Sequence, residues 1–403
     1  MIPNFVRKKF AGVQQPLGRW ILRHIFEFIA LSPAILVTWI WLKARRKEIL
    51  IVGRFSNNIS MLIAPLEPEL RRRKLEKGKL GCTIVLYLSD DANSQIRKMY
   101  DRVVKIYGSE HIIRRRIIWW ASLKFVYRRE LVDDQSDPMW VEGRPVLAFT
   151  EEEENLGKQF LDSNGLKPNN FICYTVRSES YYLARITEGQ IVKPQTLRNP
   201  SESIYLKVAE SLNQDGFEVL RMGKNLDQIP DQYLYSNILD YSSLHRTDFL
   251  DVYLLKYCKY LFCGNSGIVT LRWLWNLPNV TGDSYLIWRN QLCYDIFLLQ
   301  RVWVKRENRF ATFTEMLSLY GYSEDKYQPG LGVELVKNTA DEIKDACDEM
   351  NARIDGSWVT TKEDEDLQRR YQDLIVKFSD KPTWNGRGRI GAKFLRDNQD
   401  LLR

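Results

Sequence analysis

The sequence predicts an α/β protein of two Rossmann-like domains facing a cleft, preceded by an N-terminal membrane-associated helix. Three observations predict it. The chain has 403 residues, 44% of them apolar and 27% charged, enough for two halves that each bury a core. Short apolar runs alternate with amphipathic stretches in two successive series, the pattern of βα units around a parallel sheet. The basic excess is confined to the start: residues 1–80 hold 16 Lys and Arg against 5 Asp and Glu, and the remainder holds 43 against 46. The net charge of +8 is therefore local. That disfavours nucleic acid as a partner of the body and suits a membrane surface at the N-terminus.

Residues 1–47 form the basic and apolar segment. Ile25–Leu42 contains 14 apolar residues in 18, about 27 Å of helix, barely a bilayer core. Arg7, Lys8, Lys9, Arg19 and Arg23 precede it, and Lys43, Arg45, Arg46 and Lys47 follow. Positive charge on both flanks suits two ends on the cytoplasmic side, and Pro33 in mid-run suits an interfacial or re-entrant helix over a full span. The late start of the run and the lack of a small-residue cleavage site argue against a removed signal peptide. A helix buried in the soluble body is the alternative.

Residues 48–165 read as the first α/β domain, with strands at Ile49–Val52, Thr83–Leu88, Val103–Tyr107 and Pro145–Phe149. Glu151–Glu154 opens a helix, acids being favourable at that end of the dipole, and Asn164-Gly165 ends it. Residues 166–350 read as the second domain: strand Phe171–Thr175, helix Ser203–Asn213, strands Phe217–Leu220 and Ile238–Tyr241, helix Asp248–Tyr257, strand Tyr260–Cys263 and helix Gly267–Trp275. Asp215-Gly216 punctuates that series, and a helix follows near Ala340–Ile354. Residues 351–403 add a helix at Glu363–Phe378 and a basic tail. Gly386-Arg-Gly388-Arg-Ile-Gly391 matches a dinucleotide-binding pattern, but no apolar strand precedes it and too little chain follows for a βαβ unit.

Ligands of parallel sheets bind beyond the carboxyl ends of the strands, so the loops there hold the candidate chemistry. The sharpest is Cys263-Gly-Asn265-Ser266-Gly267, where a strand runs into a small polar loop and then a helix. Gly264 and Gly267 allow close backbone approach, and the free N–H groups of a helix start can hold a phosphate. Arg177 and Arg221 lie beside strand ends, Gly223 closes the second, and Arg198 lies in the loop before the helix at Ser203. Guanidinium groups converging on one sheet edge suit bidentate anion recognition. Asp240 and Tyr241 end another strand and can hydrogen-bond a ribose or sugar hydroxyl, or simply cap a turn. Six cysteines lack paired spacing and only three histidines exist. We therefore expect a reducing compartment, no metal centre and no histidine triad. No phosphate-loop motif occurs.

The series Tyr174–Arg177, Arg198-Asn199-Pro200, Gly216–Gly223, Asp240-Tyr241, Thr247–Leu254, Asn265–Gly267 and Val336–Thr339 with Glu342-Ile343 resembles a family of bacterial glycosyltransferases linked to surface polysaccharide or lipopolysaccharide assembly. The resemblance covers most of residues 48–350. It implies a GT-B fold, with a nucleotide-sugar donor held mainly by the second domain, and no cofactor or bound metal. One departure stands out. The family carries an Ile-Gly-His-like motif after its first strand, whereas this chain has Asn58-Ile59-Ser60-Met61. Without that histidine, Asp90 and Asp91 after Thr83–Leu88 are the carboxylates placed for general-base work.

The expected function is thus metal-independent transfer of a sugar from a nucleotide donor to a glycan or lipid-linked acceptor. It would take place at the cytoplasmic face of the inner or plasma membrane. The rival is a non-catalytic membrane-tethered module that binds a sugar or nucleotide in a polysaccharide assembly complex, which the missing histidine favours.

Overall fold

The computed structural model describes residues 17–403 except 53–58, 79, 81–82, 88–91, 123–126, 132–136, 178–179, 181–199, 225, 227, 231–232, 234–236, 265, 285–291, 293, 321–331 and 379–387. Its strands are β1 (Glu48–Val52), β2 (Thr83–Tyr87), β3 (Lys105–Tyr107), β4 (Tyr127–Leu131), β5 (Phe171–Thr175), β6 (Glu218–Met222), β7 (Ile238–Leu239), β8 (Leu261–Cys263), β9 (Asn279–Ser284), β10 (Ile296–Leu299), β11 (Arg301–Val304), β12 (Arg309–Phe310), β13 (Val333–Val336) and β14 (Arg389–Ile390).

The first four build a parallel sheet in the order β3-β2-β1-β4. β1 and β2 are continuous apolar runs because both faces of the sheet are covered. On one face Ile49, Ile51, Ile84 and Leu86 meet Ile35 and Leu42 of the N-terminal helix. On the other, Leu50, Val52, Val85 and Tyr87 enter the larger core. The fourth strand is Tyr127–Leu131, and the expected strand at Pro145–Phe149 is irregular chain. β4 was hidden by its Arg-Arg-Glu centre, which an edge position tolerates; Arg129 pairs there with Glu69 at 2.8 Å. The apolar run at 145–149 is packing: Val146 and Leu147 are buried, and the Val146 N–H donates to Glu67.

The N-terminal helix runs from Leu17 to Ala44, longer than the apolar run at its centre. A single turn joins it to β1. Leu31, Ile35, Trp39 and Leu42 pack on the small sheet and against Ile117, Ile118, Trp119 and Trp120 of the helix Ile112–Ala121.

The second sheet has seven parallel strands in the order β14-β10-β9-β8-β5-β6-β7. Counted from β5 along the chain, β7-β6-β5-β8-β9-β10 is the order 3-2-1-4-5-6 of a doubly wound nucleotide-binding sheet. The small sheet repeats its first four positions, 3-2-1-4. A separate antiparallel sheet, β12-β11-β13, lies beyond β10. The helices at 202–214, 248–257, 340–354 and 362–378 fall within a residue or two of expectation. The last residues are not a tail. Arg389-Ile390 adds the edge strand β14, through Arg389 N–H to the Asp295 carbonyl at 2.9 Å and Gly391 N–H to the Phe297 carbonyl at 3.1 Å.

The two large units are packed on each other. One buried cluster draws Leu50, Val85 and Tyr87 from the small sheet and Cys173, Leu220 and Cys263 from the large one. Arg71, wholly buried on the helix Glu67–Lys77, ties them with hydrogen bonds. Its guanidinium donates to the Trp273 and Leu274 carbonyls at 3.0 Å each and to the Met139, Trp140 and Gly143 carbonyls at 3.2–3.3 Å. Glu67 balances its charge at 2.9 Å. The first two carbonyls end the 3-10 helix Gly267–Leu274, so a side chain of the first half caps an element of the second.

Candidate functional site

Strand order alone locates a crevice in the large sheet. After β5 the chain moves to β6 on one side and returns to β8 on the other, so the chain leaves the carboxyl ends of β5 and β8 in opposite directions. Such a switch point is where parallel sheets bind ligands. Thr175 pairs with Cys263 there, so Arg177 and the 264–267 loop leave the sheet side by side.

The loop after β8 is held tightly. The Gly264 N–H donates to the Thr175 carbonyl at 3.3 Å, and the Ser266 N–H turns back to the Gly264 carbonyl at 2.9 Å. A Cβ on Gly264 would meet Pro200 at 2.7 Å, so only glycine lets the 200 segment lie across the loop. Pro200 leads through Ser201 into the helix Glu202–Gln214, whose start therefore sits at the same crevice. The helix expected at Gly267–Trp275 is the 3-10 helix Gly267–Leu274, and Ser266 precedes it without a side-chain capping bond. Two helix starts thus approach one point. Arg177, Ser266 and Gly267 are partly or fully exposed there, and Arg177 has other contacts. Asn265, Arg198, Asp90 and Asp91 lie outside the described residues.

Burial leaves two hydroxyls at the end of β5 without a hydrogen-bond partner, Tyr174 Oη and Thr175 Oγ1. Both residues are buried, and unpaired polar groups in such places are rare outside functional sites. Successive residues of a strand face opposite ways, so the two hydroxyls flank the sheet. Thr175 shares its face with Cys173, the face turned to the small sheet. Sequence patterns give no sign of this, since Tyr and Thr are ordinary strand residues.

The structure corrects the readings of Arg221 and Tyr241. Arg221 is no open cationic lure: it has no exposed side-chain surface and is held by Glu202 at 2.5 Å and Asp240 at 3.3 Å. Coulombic attraction to Glu202, together with Tyr174 and Asp240, raises its pKa against the opposing cost of burial. Asp240 is engaged by Arg221 and accepts from Ser242 Oγ at 2.6 Å, but keeps some exposure at the crevice flank. Tyr241 begins a short helix rather than ending a strand. Its buried hydroxyl donates to Asp251 at 2.9 Å and accepts from the Thr247 N–H at 3.1 Å, leaving nothing for a ligand. Gly223 has φ +150, a conformation strained for other residues, and a Cβ there would meet Leu226 at 2.7 Å.

Sequence reasoning missed Asp283, at the carboxyl end of β9 beside β8. It is buried and exchanges hydrogen bonds with Asn338: each backbone N–H donates to the other side chain, at 2.7 and 2.8 Å. Burial pushes the Asp283 carboxyl up to about 6, against the Asn338 N–H and Lys337, which favour the charged form. Tyr205 Oη donates to the Cys263 carbonyl at 3.3 Å in the same pocket of side chains. A Cβ on Gly282 would come within 2.5 Å of that oxygen. The Asn279–Ser284 stretch alternates too few apolar residues to mark a strand, so sequence pattern gave no signal for it.

The opposing wall comes from the small sheet. The helix Ile59–Ile63, which follows β1, packs against the 3-10 helix that begins at the candidate loop. The Asn58–Met61 stretch is thereby brought to the same region, with Asn58 outside the described residues. Among the described residues no group of three or more His, Cys, Asp or Glu side chains is placed to hold a metal ion.

No family model matches the chain, and no curated protein matches its sequence. Among solved structures it is similar to a glycosyl transferase of family 9 from Veillonella parvula, at 9% identity over 76% of this chain and 98% of that one, with a TM-score of 0.45. It is also similar to the E. coli ADP-heptose lipopolysaccharide heptosyltransferase II, at 12% identity over 58% and 84% of the two chains and a TM-score of 0.37. The E. coli heptosyltransferase WaaC with ADP gives 12% identity over 63% and 91%, with a TM-score of 0.34. All three are glycosyltransferases by description.

Proposed function

We propose that the protein is a glycosyltransferase of GT-B type that moves a sugar from a nucleotide-activated donor to a glycan or lipid-linked acceptor at the cytoplasmic face of the membrane. One observation carries the reading. A switch point in the 3-2-1-4-5-6 order gathers two helix starts, Arg177, the Ser266-Gly267 backbone and two unpaired hydroxyls. A sugar nucleotide matches each part: backbone N–H groups and a guanidinium for the diphosphate, hydroxyls and Asp240 for the ribose or sugar. Transfer leaves negative charge on the departing diphosphate. Donors already aimed at it lower the barrier without reorganising and need no metal to do so. The acceptor would enter from the small-sheet side, between Ile59–Ile63 and the 264–267 loop. Asp90 and Asp91 remain the proposed bases.

Calorimetric titration with ADP, UDP and GDP, and with their sugar conjugates, tests the reading. One nucleotide should bind to the wild type and stabilise it by about 2.7 kcal/mol at a hundred times its dissociation constant. Arg177→Ala and Ser266→Ala should weaken that binding about tenfold or more, since contacts to charged groups contribute roughly 1.5–3 kcal/mol each. Wild-type affinity in both variants would put the donor elsewhere. The rival non-catalytic module draws support from the missing histidine at Asn58–Met61. It predicts nucleotide binding with no donor hydrolysis or transfer.

A further inference from the structure

The N-terminal helix is apolar on two opposite faces, and among the described residues only one of them has a partner. At about 100° per residue, Leu31, Ile35, Trp39 and Leu42 fall together and pack on the small sheet. Phe26, Ile29, Leu36, Val37 and Ile40 fall on the far side, and Phe26 and Val37 are 73% and 67% exposed. Soluble surface helices carry one apolar stripe; a second, uncovered one calls for an apolar phase. The helix cannot cross a bilayer as it stands, because spanning would strip Leu31, Ile35, Trp39 and Leu42 from Ile49, Ile51, Ile84 and Leu86. Lying along the surface satisfies both stripes.

A second element extends the ridge. The helix Ile112–Ala121 lies beside the first, joined by a Glu27–Arg116 ion pair and by Trp120, whose ring sits 5.3 Å from Phe28 and 6.3 Å from His24. It presents Ile112 and Ile113, the latter 63% exposed, followed by exposed Arg114. The helix has no acid. Exposed Lys43, Arg45 and Arg46 close the other end of the ridge, and the Lys43 ammonium sits 4.9 Å above the Trp39 ring. Over residues 17–47 there are six Lys and Arg and one acid, Glu27, which is already paired. An apolar stripe with cations at both ends and a paired acid fits the headgroup layer of an anionic bilayer.

We propose that the helix Leu17–Ala44 and the helix Ile112–Ala121 together form a monotopic dock for an anionic membrane surface, lying in the interface with Ile112 and Ile113 inserted beside Phe26 and Ile29. The helix precedes β1 and runs back along the sheet, so its Phe26 end lies at the carboxyl edge of the small sheet. There Arg115 also donates to the Tyr87 carbonyl at 2.8 Å. The dock thus holds the acceptor side of the proposed crevice against the membrane. It rests on the membrane association in the functional reading but not on the donor site.

The test is flotation of the full-length protein with vesicles of phosphatidylcholine alone or with added phosphatidylglycerol. The wild type should float with the anionic vesicles, and alkaline carbonate should release it. Ile112→Glu with Ile113→Glu should lower partitioning about tenfold or more. Val359→Glu with Val376→Glu, at positions 81% and 67% exposed in the C-terminal part, should leave it unchanged. Nucleotide titration of the Ile112/Ile113 variant should match the wild type, which separates failure of the dock from failure of the donor site. Unchanged flotation of that variant would remove the second helix from the dock. Resistance to carbonate would mean a span. A lipid-free soluble oligomer that buries the stripe would make a second copy the occupant.

Discussion

Arg221→Ala exposes what the buried guanidinium does. In the wild type it contacts Glu202 at 2.5 Å and Asp240 at 3.3 Å and has no exposed side-chain surface. Removing one partner of a buried ion pair costs about 3–5 kcal/mol, because the remaining charge stays desolvated. Glu202 and Asp240 keep 21% and 16% of their side-chain surface in water. The cost therefore falls at the low end, about 3 kcal/mol. For a cooperative unit of 150–250 residues that lowers the melting temperature by about 6–12 °C. The two uncompensated carboxylates also flank the proposed diphosphate site, so nucleotide binding should weaken with stability. Scanning calorimetry and nucleotide titration, each run on Arg221→Ala and on Arg221→Ala/Glu202→Gln/Asp240→Asn, separate support from direct contact. The neutral triple variant should recover most of the melting temperature and of the nucleotide affinity. A single variant that melts like the wild type would refute the ion-pair reasoning. A triple variant that is stable yet fails to bind nucleotide would make Arg221 a direct ligand.

Two further outcomes follow from the packing of the helix Glu151–Ser163. Burial pushes the Glu153 carboxyl up, but Arg102 and Gln95, aided by the Thr150 N–H of its capping box, outweigh that and hold it at about 2 against an ordinary 4.5. A carboxylate with a depressed pKa stabilises the fold above its unfolded value, and the contribution is lost as pH falls through the folded one. Wild-type stability should therefore drop between about pH 4.5 and 2, and Glu153→Gln should flatten that part of a denaturant-midpoint profile; an unchanged slope would contradict the assignment. Gly157→Ala offers a test of sign. Alanine in a helix interior normally gains about 1 kcal/mol over glycine, yet here its Cβ would lie 2.1 Å from the Tyr253 ring. Phe149, Phe249 and Tyr257 surround that ring at 4.7–5.4 Å and leave it no room to move. The variant should melt below the wild type, and a rise would show that the helices separate easily.

Local patterning was enough for the elements whose neighbours are all apolar. The runs at 49–52, 83–87, 171–175 and 261–263 became strands, and the helix at 340–354 has the expected bounds. The common edge of Arg177 and the 264–267 loop was legible too, because parallel βα units send every strand the same way. Contacts distant in sequence decided the rest. β4 is a strand because β1 offers it an edge, although its own Arg-Arg-Glu centre argues otherwise. Residues 145–149 are coil because the segment is used to cover Glu67. Arg389-Ile390 is a strand only through β10. The candidate site divides the same way. The sequence by itself determined which residues reach the carboxyl edge. Whether a charge or hydroxyl there is free depends on partners it cannot display locally: Glu202 and Asp240, each nineteen residues from Arg221, neutralise it, and Asp251 and Thr247 occupy Tyr241. Burial makes such pairings obligatory, since an unpaired charge in the interior costs more than most single contacts supply, and only the folded chain decides which groups are buried together.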